Sequence, residues 1–348
     1  MATVTKSARI GLDIAKTVFQ AHGVDERERP NLRKRLKRAE VLSYFAKVPP
    51  CEIGMEACGG AHYWARELAK LGHTVKLMAP HYVKPYRTRG KNDANDAEAI
   101  CEAMSRPKTR FVAVKSEEQQ ATLMVHRARQ LVVASRTALV NQIHGYLGEY
   151  GIVAPRGPAR LRSALPGILE DAENNLPDLA RQTLATLLDQ FRLLDEQVAG
   201  YDRHIREIAR VSEAAQRLMQ IEGIGPQTAT ALVASIGNPH VYDSARSYAA
   251  SIGLTPNQHS SGDTERLGHI TRRGDVYVRT LLVHGGRAYL RYVDKKTDRK
   301  SAWARALIKR RNMNIAAVAY AAKLARIAWA ILAHGTEYRP AGPEVVAA

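Results

Sequence analysis

The chain is poor in cysteine, in long apolar runs and in acid, and each scarcity excludes something. Only Cys51, Cys58 and Cys101 occur among 348 residues, with no Cys-x-x-Cys. That argues against a disulfide framework or a zinc site and fits a reducing cytoplasm. No uninterrupted apolar run approaches the roughly 18 residues of a membrane span. The opening Met-Ala-Thr-Val-Thr-Lys-Ser lacks the apolar core of a signal peptide. No basic amphipathic helix with aromatic anchors stands out, so a membrane surface is not the expected partner. There is no Walker-type phosphate loop. Acids are outnumbered, 34 Asp and Glu against 52 Lys and Arg, giving a net charge of +18 and a pI near 9.9. An excess of that size calls for a polyanionic partner, most simply nucleic acid.

The acids that are present fall in telling places. Asp93 and Asp96 stand three apart in Lys91-Asn92-Asp93-Ala94-Asn95-Asp96-Ala97, just after the basic positions Lys84, Arg87, Arg89 and Lys91. On a helix they share a face. Ala97, Glu98, Ala99, Ile100 and Cys101 follow without a compensating lysine. Uncompensated carboxylates suit a divalent cation bound through oxygen. The competing reading makes Asp93 an N-cap and Asp96 a first-turn acid. Upstream, residues 8–14 read as a buried strand reaching Asp13, with residues 17–24 as its hairpin partner. Residues 51–56 form a strand ending in Glu56. Gly59-Gly60 breaks the chain before a helix over 61–72, and a further strand covers 74–79. Acids at the ends of central strands are costly unless paired or bound to metal. Four carboxylates from two strands and a helix can hold two Mg²⁺ ions about 4 Å apart for phosphoryl transfer. Sugar kinases and actin-like ATPases also open on a strand like Gly11-Leu12-Asp13. They want glycine in the phosphate turn, where this chain has Ala15, and no Asp-Gly-Gly-Thr follows.

Ser116-Glu117-Glu118-Gln119 fits a capping box and starts a helix to about Leu147. Gly and Pro then break the pattern from Gly151 to Pro177. Leu184, Leu187, Phe191, Leu194, Val198, Tyr201, Ile205 and Ile208 alternate spacings of three and four, a heptad seam that pairs either within the chain or between chains. An ordinary amphipathic helix is the plainer alternative. Gly223-Ile224-Gly225-Pro226, between two apolar helical patterns, reads as a helix-hairpin-helix whose glycines and following helix N-terminus suit a phosphate, or as a simple tight turn. Ser260-Ser261-Gly262 lies in a loop trailed by Arg266, Arg272, Arg273 and Arg279. Loop serines are commonly turn formers. Beside several arginines, one can instead act as an alkoxide nucleophile on phosphorus. Ten Lys or Arg fall between Arg287 and Arg311, with Tyr289, Tyr292 and Trp303 among them, a composition suited to phosphate contact and base stacking or to a solvated basic face.

Asp13 in Gly-Leu-Asp-Ile-Ala-Lys, Glu56 in Met-Glu-Ala-Cys-Gly-Gly and the pair Asp93 and Asp96 resemble the tetrad of DEDD transposases. These are insertion-sequence recombinases with an N-terminal RuvC-like, ribonuclease-H-like domain. Gly-Leu-x-Pro, Ser-Gly and Arg-x-Gly-Asp-x-x-x-Arg across 253–279 resemble the family's C-terminal transposase domain, whose nucleophilic serine falls on Ser261, with Ser260 one register away. The resemblance implies an α/β plus α protein. A RuvC-like domain covers 1–110, helical and coiled-coil structure 111–214, a mostly helical domain with the hairpin and serine loop 215–335, and a flexible tail 336–348. It implies Mg²⁺, with Mn²⁺ as the alternative, held by Asp13, Glu56, Asp93 and Asp96, and Ser261 as nucleophile in one composite site. Arg87, Arg89, Lys91, Gly223, Gly225, Arg266, Arg272, Arg273 and Arg279 are the expected nucleic-acid contacts. The implied partners are DNA, a structured non-coding guide RNA and further copies of the chain, as a dimer or tetramer. Two rivals remain at this stage: a metal-dependent junction nuclease without serine chemistry, and a non-enzymatic architectural protein.

Overall fold

The computed structural model describes residues 6–87, 90, 92–340 and 342. The chain divides into two compact units, Met1–Ser116 with Ile236–Asp243, and Glu117–Ser235 with Ser244–Ala348.

In the first unit, β1 (Arg9–Ile14) and β2 (Val18–Val24) form the expected antiparallel hairpin. A strand absent from the sequence reading follows, β3 (Pro30–Lys37), antiparallel to β2. The short helix α1 (Val41–Phe45) leads to β4 (Glu52–Glu56), which runs parallel to β1. Then come α2 (Ala61–Lys70), β5 (Thr74–Met78) parallel to β4, α3 (Pro80–Val83), α4 (Asp93–Met104) and the two-residue β6 (Phe111–Val112). The six strands lie in the order β3-β2-β1-β4-β5-β6. Ile10 and Leu12 alternate with Arg9, Gly11 and Asp13, so each set takes one face of the sheet. The apolar set is fully buried with Phe19, Ile53, Met55 and Leu77 against Phe45 of α1 and Trp64 and Leu68 of α2.

The other face carries α4. A Cβ on Gly11 would stand 2.1 Å from the carbonyl oxygen of Ala97, and one on Gly54 would stand 2.8 Å from Met104 Sδ. Glycine at the centre of β1 therefore lets the helix lie directly on the sheet, which sets the first turn of α4 beside Asp13. Helix α4 starts where the charge pattern indicates, but its cap is Asn92, whose side chain accepts a hydrogen bond from Asn95 N at 2.8 Å. Asp93 is thus a first-turn residue, not the N-cap.

The second unit begins with α5 (Glu117–Glu149), α6 (Pro158–Glu170) and α7 (Asp178–Val211). The heptad seam of α7 packs on α5 of the same chain, and Leu184, Phe191, Val198 and Ile205 are buried at seven-residue intervals. Leu188 rather than Leu187 completes the buried set, in a cluster with Leu161 and Leu165 of α6. Ion pairs Arg129–Asp202 and Arg136–Asp195, both 2.7 Å, show the pair to be antiparallel. Next come α8 (Glu213–Met219), α9 (Pro226–Ile236) and α10 (Ala245–Ser251). A small antiparallel hairpin, β7 (Pro256–Gln258) and β8 (Leu267–Ile270), precedes α11 (Val276–Leu290), α12 (Arg299–Arg310) and α13 (Met313–His334).

Helix α13 corrects the expectation on apolar length. Although Lys323 and Arg326 interrupt it, the helix is long and apolar enough to cross a membrane by length and composition. Ala317, Tyr320, Ala321, Leu324, Ala325 and others of its residues are buried in the unit. Within the expected tail, Tyr338 Oη accepts from Lys300 Nζ at 3.1 Å, while Ala341 and residues 343–348 lie outside the described residues.

Candidate active site

All four predicted carboxylates fall in the first unit, and Glu56, Asp93 and Asp96 each lie within electrostatic reach of Asp13. Asp13, half-buried on β1, has its pKa pushed up to about 6, first by burial and then by the negative charges of Asp96, Asp93 and Glu56. Glu56 ends β4, the parallel neighbour of β1, and Asp93 and Asp96 lie in the first turn of α4. The Arg87 guanidinium opposes the rise. Arg87 Nε and Asp96 Oδ1 meet as an ion pair, but not in the alignment of a hydrogen bond, and both atoms are buried with no hydrogen-bond partner among the described residues. Arg87, expected to touch nucleic acid, is thus engaged with the acids. Arg89 and Lys91 lie outside the described residues.

Carboxylates gathered around one whose pKa they raise are what a hard cation would neutralise, and an all-oxygen donor set suits Mg²⁺ or Mn²⁺. Among the described residues, however, no three His, Cys, Asp or Glu side chains stand close enough together to hold a metal as they lie. The arrangement is three carboxylates raising the pKa of a fourth, Asp13, with one guanidinium against them. The donor chemistry fits the metal, and loading it requires the side chains to draw together.

The serine loop belongs to the second unit. Ser261 is exposed at the tip of the β7–β8 hairpin, where its backbone exchanges hydrogen bonds with Thr264 at 3.3 and 3.2 Å. The two serines of the doublet differ in their hydrogen bonding. Ser260 Oγ accepts from Arg266 N at 3.1 Å and from Gln258 Nε2 at 3.0 Å. Ser261 Oγ makes no hydrogen bond among the described residues. Arg266, Arg272 and Arg273 are exposed. Arg279 is buried instead and donates through Nη1 to the carbonyls of Ile252 (2.9 Å) and Arg273 (2.6 Å), a strut under the loop.

Gly225 is open, with nothing within 4 Å of a Cβ placed there. Gly223 has φ +95°, and its carbonyl oxygen would lie 2.0 Å from a Cβ on Gly285 of α11. Its lack of a side chain therefore serves helix packing. Tyr289, expected to stack on bases, is buried and stacks on Tyr320 with ring centroids 4.2 Å apart. Tyr292 is exposed.

Sequence reasoning missed a polar chain through the second unit. Gln227 Nε2 donates to Tyr277 Oη at 2.9 Å. The Tyr277 hydroxyl donates to His126 Nδ1 and His126 Nε2 to Thr230 Oγ1, both at 3.0 Å, and Thr230 donates to the Pro226 carbonyl. His126 is fully buried, and burial lowers its pKa to about 4. No spacing signals the pair, since 151 residues separate its two ring partners.

A mixed sheet bearing strand-end carboxylates, followed by a mostly helical remainder, is the make-up of a DEDD-type transposase. A profile described as "Transposase", for the DEDD domain of IS110 elements, matches residues 10–152. A second, "Transposase IS116/IS110/IS902 family", matches 215–302. A probable family 20 transposase of Pseudomonas aeruginosa is 50% identical over 96% of this chain and 99% of its own length. The transposase for insertion sequence element IS1111A of Coxiella burnetii is 44% identical over 95% of this chain and 91% of its own. That for element IS1328 of Yersinia enterocolitica is 40% identical over 94% and 98%. The chain belongs to the IS110/IS116/IS902 family of insertion-sequence transposases. It is therefore an enzyme acting on DNA, and a DEDD-type domain implies dependence on a divalent metal. The architectural, non-enzymatic reading falls away.

Proposed function

We propose that the protein cuts and rejoins DNA strands through a ribonuclease-H-like acidic site and a serine nucleophile, guided by a structured RNA. The observation that carries this reading is the gathering of Asp13, Glu56, Asp93 and Asp96 around a raised-pKa carboxyl. The strand order, three antiparallel strands followed by two parallel to β1, supports the ribonuclease-H-like assignment. Asp13, Glu56, Asp93 and Asp96 would hold Mg²⁺, or Mn²⁺ in its place, which when bound polarises a phosphate oxygen. Ser261 Oγ forms a bond to phosphorus as the bond to the 3′-oxygen breaks. The serine proton ends on that oxygen, leaving a phosphoserine link and a free 3′-OH. Reversal on a new 3′-OH rejoins the strand with no external energy source. The exposed Arg266, Arg272 and Arg273 supply positive charge around the serine loop. Guidance by RNA rests on the family resemblance alone. Assembly as a dimer or tetramer rests on the resemblance alone.

The test is a denaturing gel of full-length protein with flanking non-coding RNA, Mg²⁺ and element-end DNA. Wild type should give a covalent protein–DNA adduct, Ser261→Ala should give none, and Asp13→Asn should abolish breakage. Cutting by both wild type and Ser261→Ala without an adduct would replace this mechanism with a junction-nuclease one.

A further inference from the structure

Strand β3 is an outer strand of the six-stranded sheet, and its side chains divide by face, two leucines and Lys34 on one side and three cations on the other. Leu36 is buried and Leu32 packs on the core, while Lys34 Nζ lies 4.6 Å from the Tyr44 ring on that same side. Alternation sends Arg33, Arg35 and Lys37 to the opposite side. That is the side of α4, because Arg33 Nη2 lies 3.8 Å from Glu98 of α4.

Register then fixes a row across the sheet. Asp13 stands opposite Gln20, and Gln20 opposite Arg35. Arg35 is thus on the face of the acidic cluster, two strands from Asp13, a distance of about 10 Å from two inter-strand spacings. Only Gln20, uncharged, intervenes in that row. Arg35 and Lys37 are exposed and make no ion pair among the described residues. The Arg33–Glu98 pair is long and solvated, so it neutralises little.

Charge on an edge strand also guards against edge-to-edge pairing. That role is indifferent to sign and to face. Here the charge on the cluster's face of β3 is all positive, in register with an acid that a phosphate must approach. We propose that Arg35 and Lys37 hold backbone phosphates of the DNA strand on one side of the scissile phosphate, so that β3 forms the entry track to the acidic site. Because the backbone winds about the axis, successive phosphates of one strand lie about 6–7 Å apart, wider than the roughly 3.4 Å axial rise, so about 10 Å places these contacts about one to two nucleotides from the cut. The inference rests on the reading of the Asp13 cluster as the cutting site.

The test uses full-length protein loaded with the flanking non-coding RNA, which fixes the register, and element-end duplex DNA carrying single neutral methylphosphonates walked past the cleavage position. In wild type, a methylphosphonate one to three nucleotides to one side should weaken binding about fivefold. In the double variant Arg35→Gln and Lys37→Gln the same substitution should have no effect. The slope of log affinity against log salt should be shallower by about 2, at roughly 0.9 per lost phosphate contact. Lys34→Gln, on the opposite face, should leave both readouts as in wild type. An unchanged slope and interference pattern in the double variant would overturn the proposal, as would an equal loss in Lys34→Gln. Aggregation of the double variant with binding intact would assign the charges to edge protection instead. Asp13→Asn keeps the failures apart. Metal-dependent cutting by that variant would sink the reading of the acids, whereas slope and interference report binding alone.

Discussion

At the scale of single residues, His126 makes the sharpest case. Both ring nitrogens are committed in a neutral tautomer, with Nε2 donating to Thr230 and Nδ1 accepting from Tyr277. A proton added at Nδ1 would face the Tyr277 O–H. The folded chain therefore resists protonation down to pH about 4, whereas an unfolded histidine titrates near 6.5. Because the unfolded state binds the extra proton, stability is full above pH 6.5 and is lost as pH falls toward 4. The loss amounts to about 3 kcal/mol from this group. His62 adds a loss of the same sign, since burial and then Lys115 and Arg66 lower its pKa to about 4. Urea unfolding measured from pH 7.5 to 4 should thus show a loss of stability that is smaller in His126→Gln by about 3 kcal/mol. An unaltered loss in that variant would mean that the ring is not held neutral. None of this chain was legible in the sequence, because its members sit on α5, α9 and α11 and are joined only by folding. The four acids were legible because strand ends and a first helical turn announce themselves locally. The ion pair of Arg87 with Asp96 was not, since a cation beside acids looks the same in a string whichever partner it meets.

At the scale of elements, close approaches carry the argument. The backbone of Gly223 in the turn before α9 meets Gly285 on α11 so tightly that a methyl group at 285 would lie 2.0 Å from a carbonyl oxygen. Gly285→Ala should therefore force the helix and turn apart and destabilise the protein by about 1–3 kcal/mol, as overpacking does. Chemical denaturation measures it, and a variant within 0.5 kcal/mol of wild type, by the usual spread of neutral surface changes, would show the contact to be compliant. The Gly-x-Gly turn was visible in the sequence, but not that its first glycine answers to a helix. The heptad seam of α7 was visible because one stripe serves one partner. Leu188 escaped because α6 adds a second partner that the a/d period does not encode. Strand β3 escaped for a different reason. As an edge strand it needs only Leu32 and Leu36 toward the core, and its remaining positions read as a charge run rather than as alternation.

At the scale of the whole molecule, composition announced the partner before any fold was known, and the open question is how much of the sequence is read by protein. A net charge of +18, with exposed cations on β3 and around the serine loop, binds phosphates and hence any duplex. Phosphate contacts position a protein but carry no base information. The chain alone, without RNA, should thus bind element-end and unrelated duplexes within about threefold of each other. With six or more phosphates engaged, both affinities should fall by about a thousandfold or more between 50 and 200 mM salt. Adding the flanking non-coding RNA should separate the two, since discrimination would then come from base pairing. Fluorescence anisotropy across a salt series measures all three quantities. A preference above tenfold for element ends by the protein alone would mean that the chain itself reads bases, and the guide RNA would lose its reason in this mechanism. Equal, steeply salt-dependent binding would leave sequence choice to the RNA and confine the protein to holding backbone and breaking it.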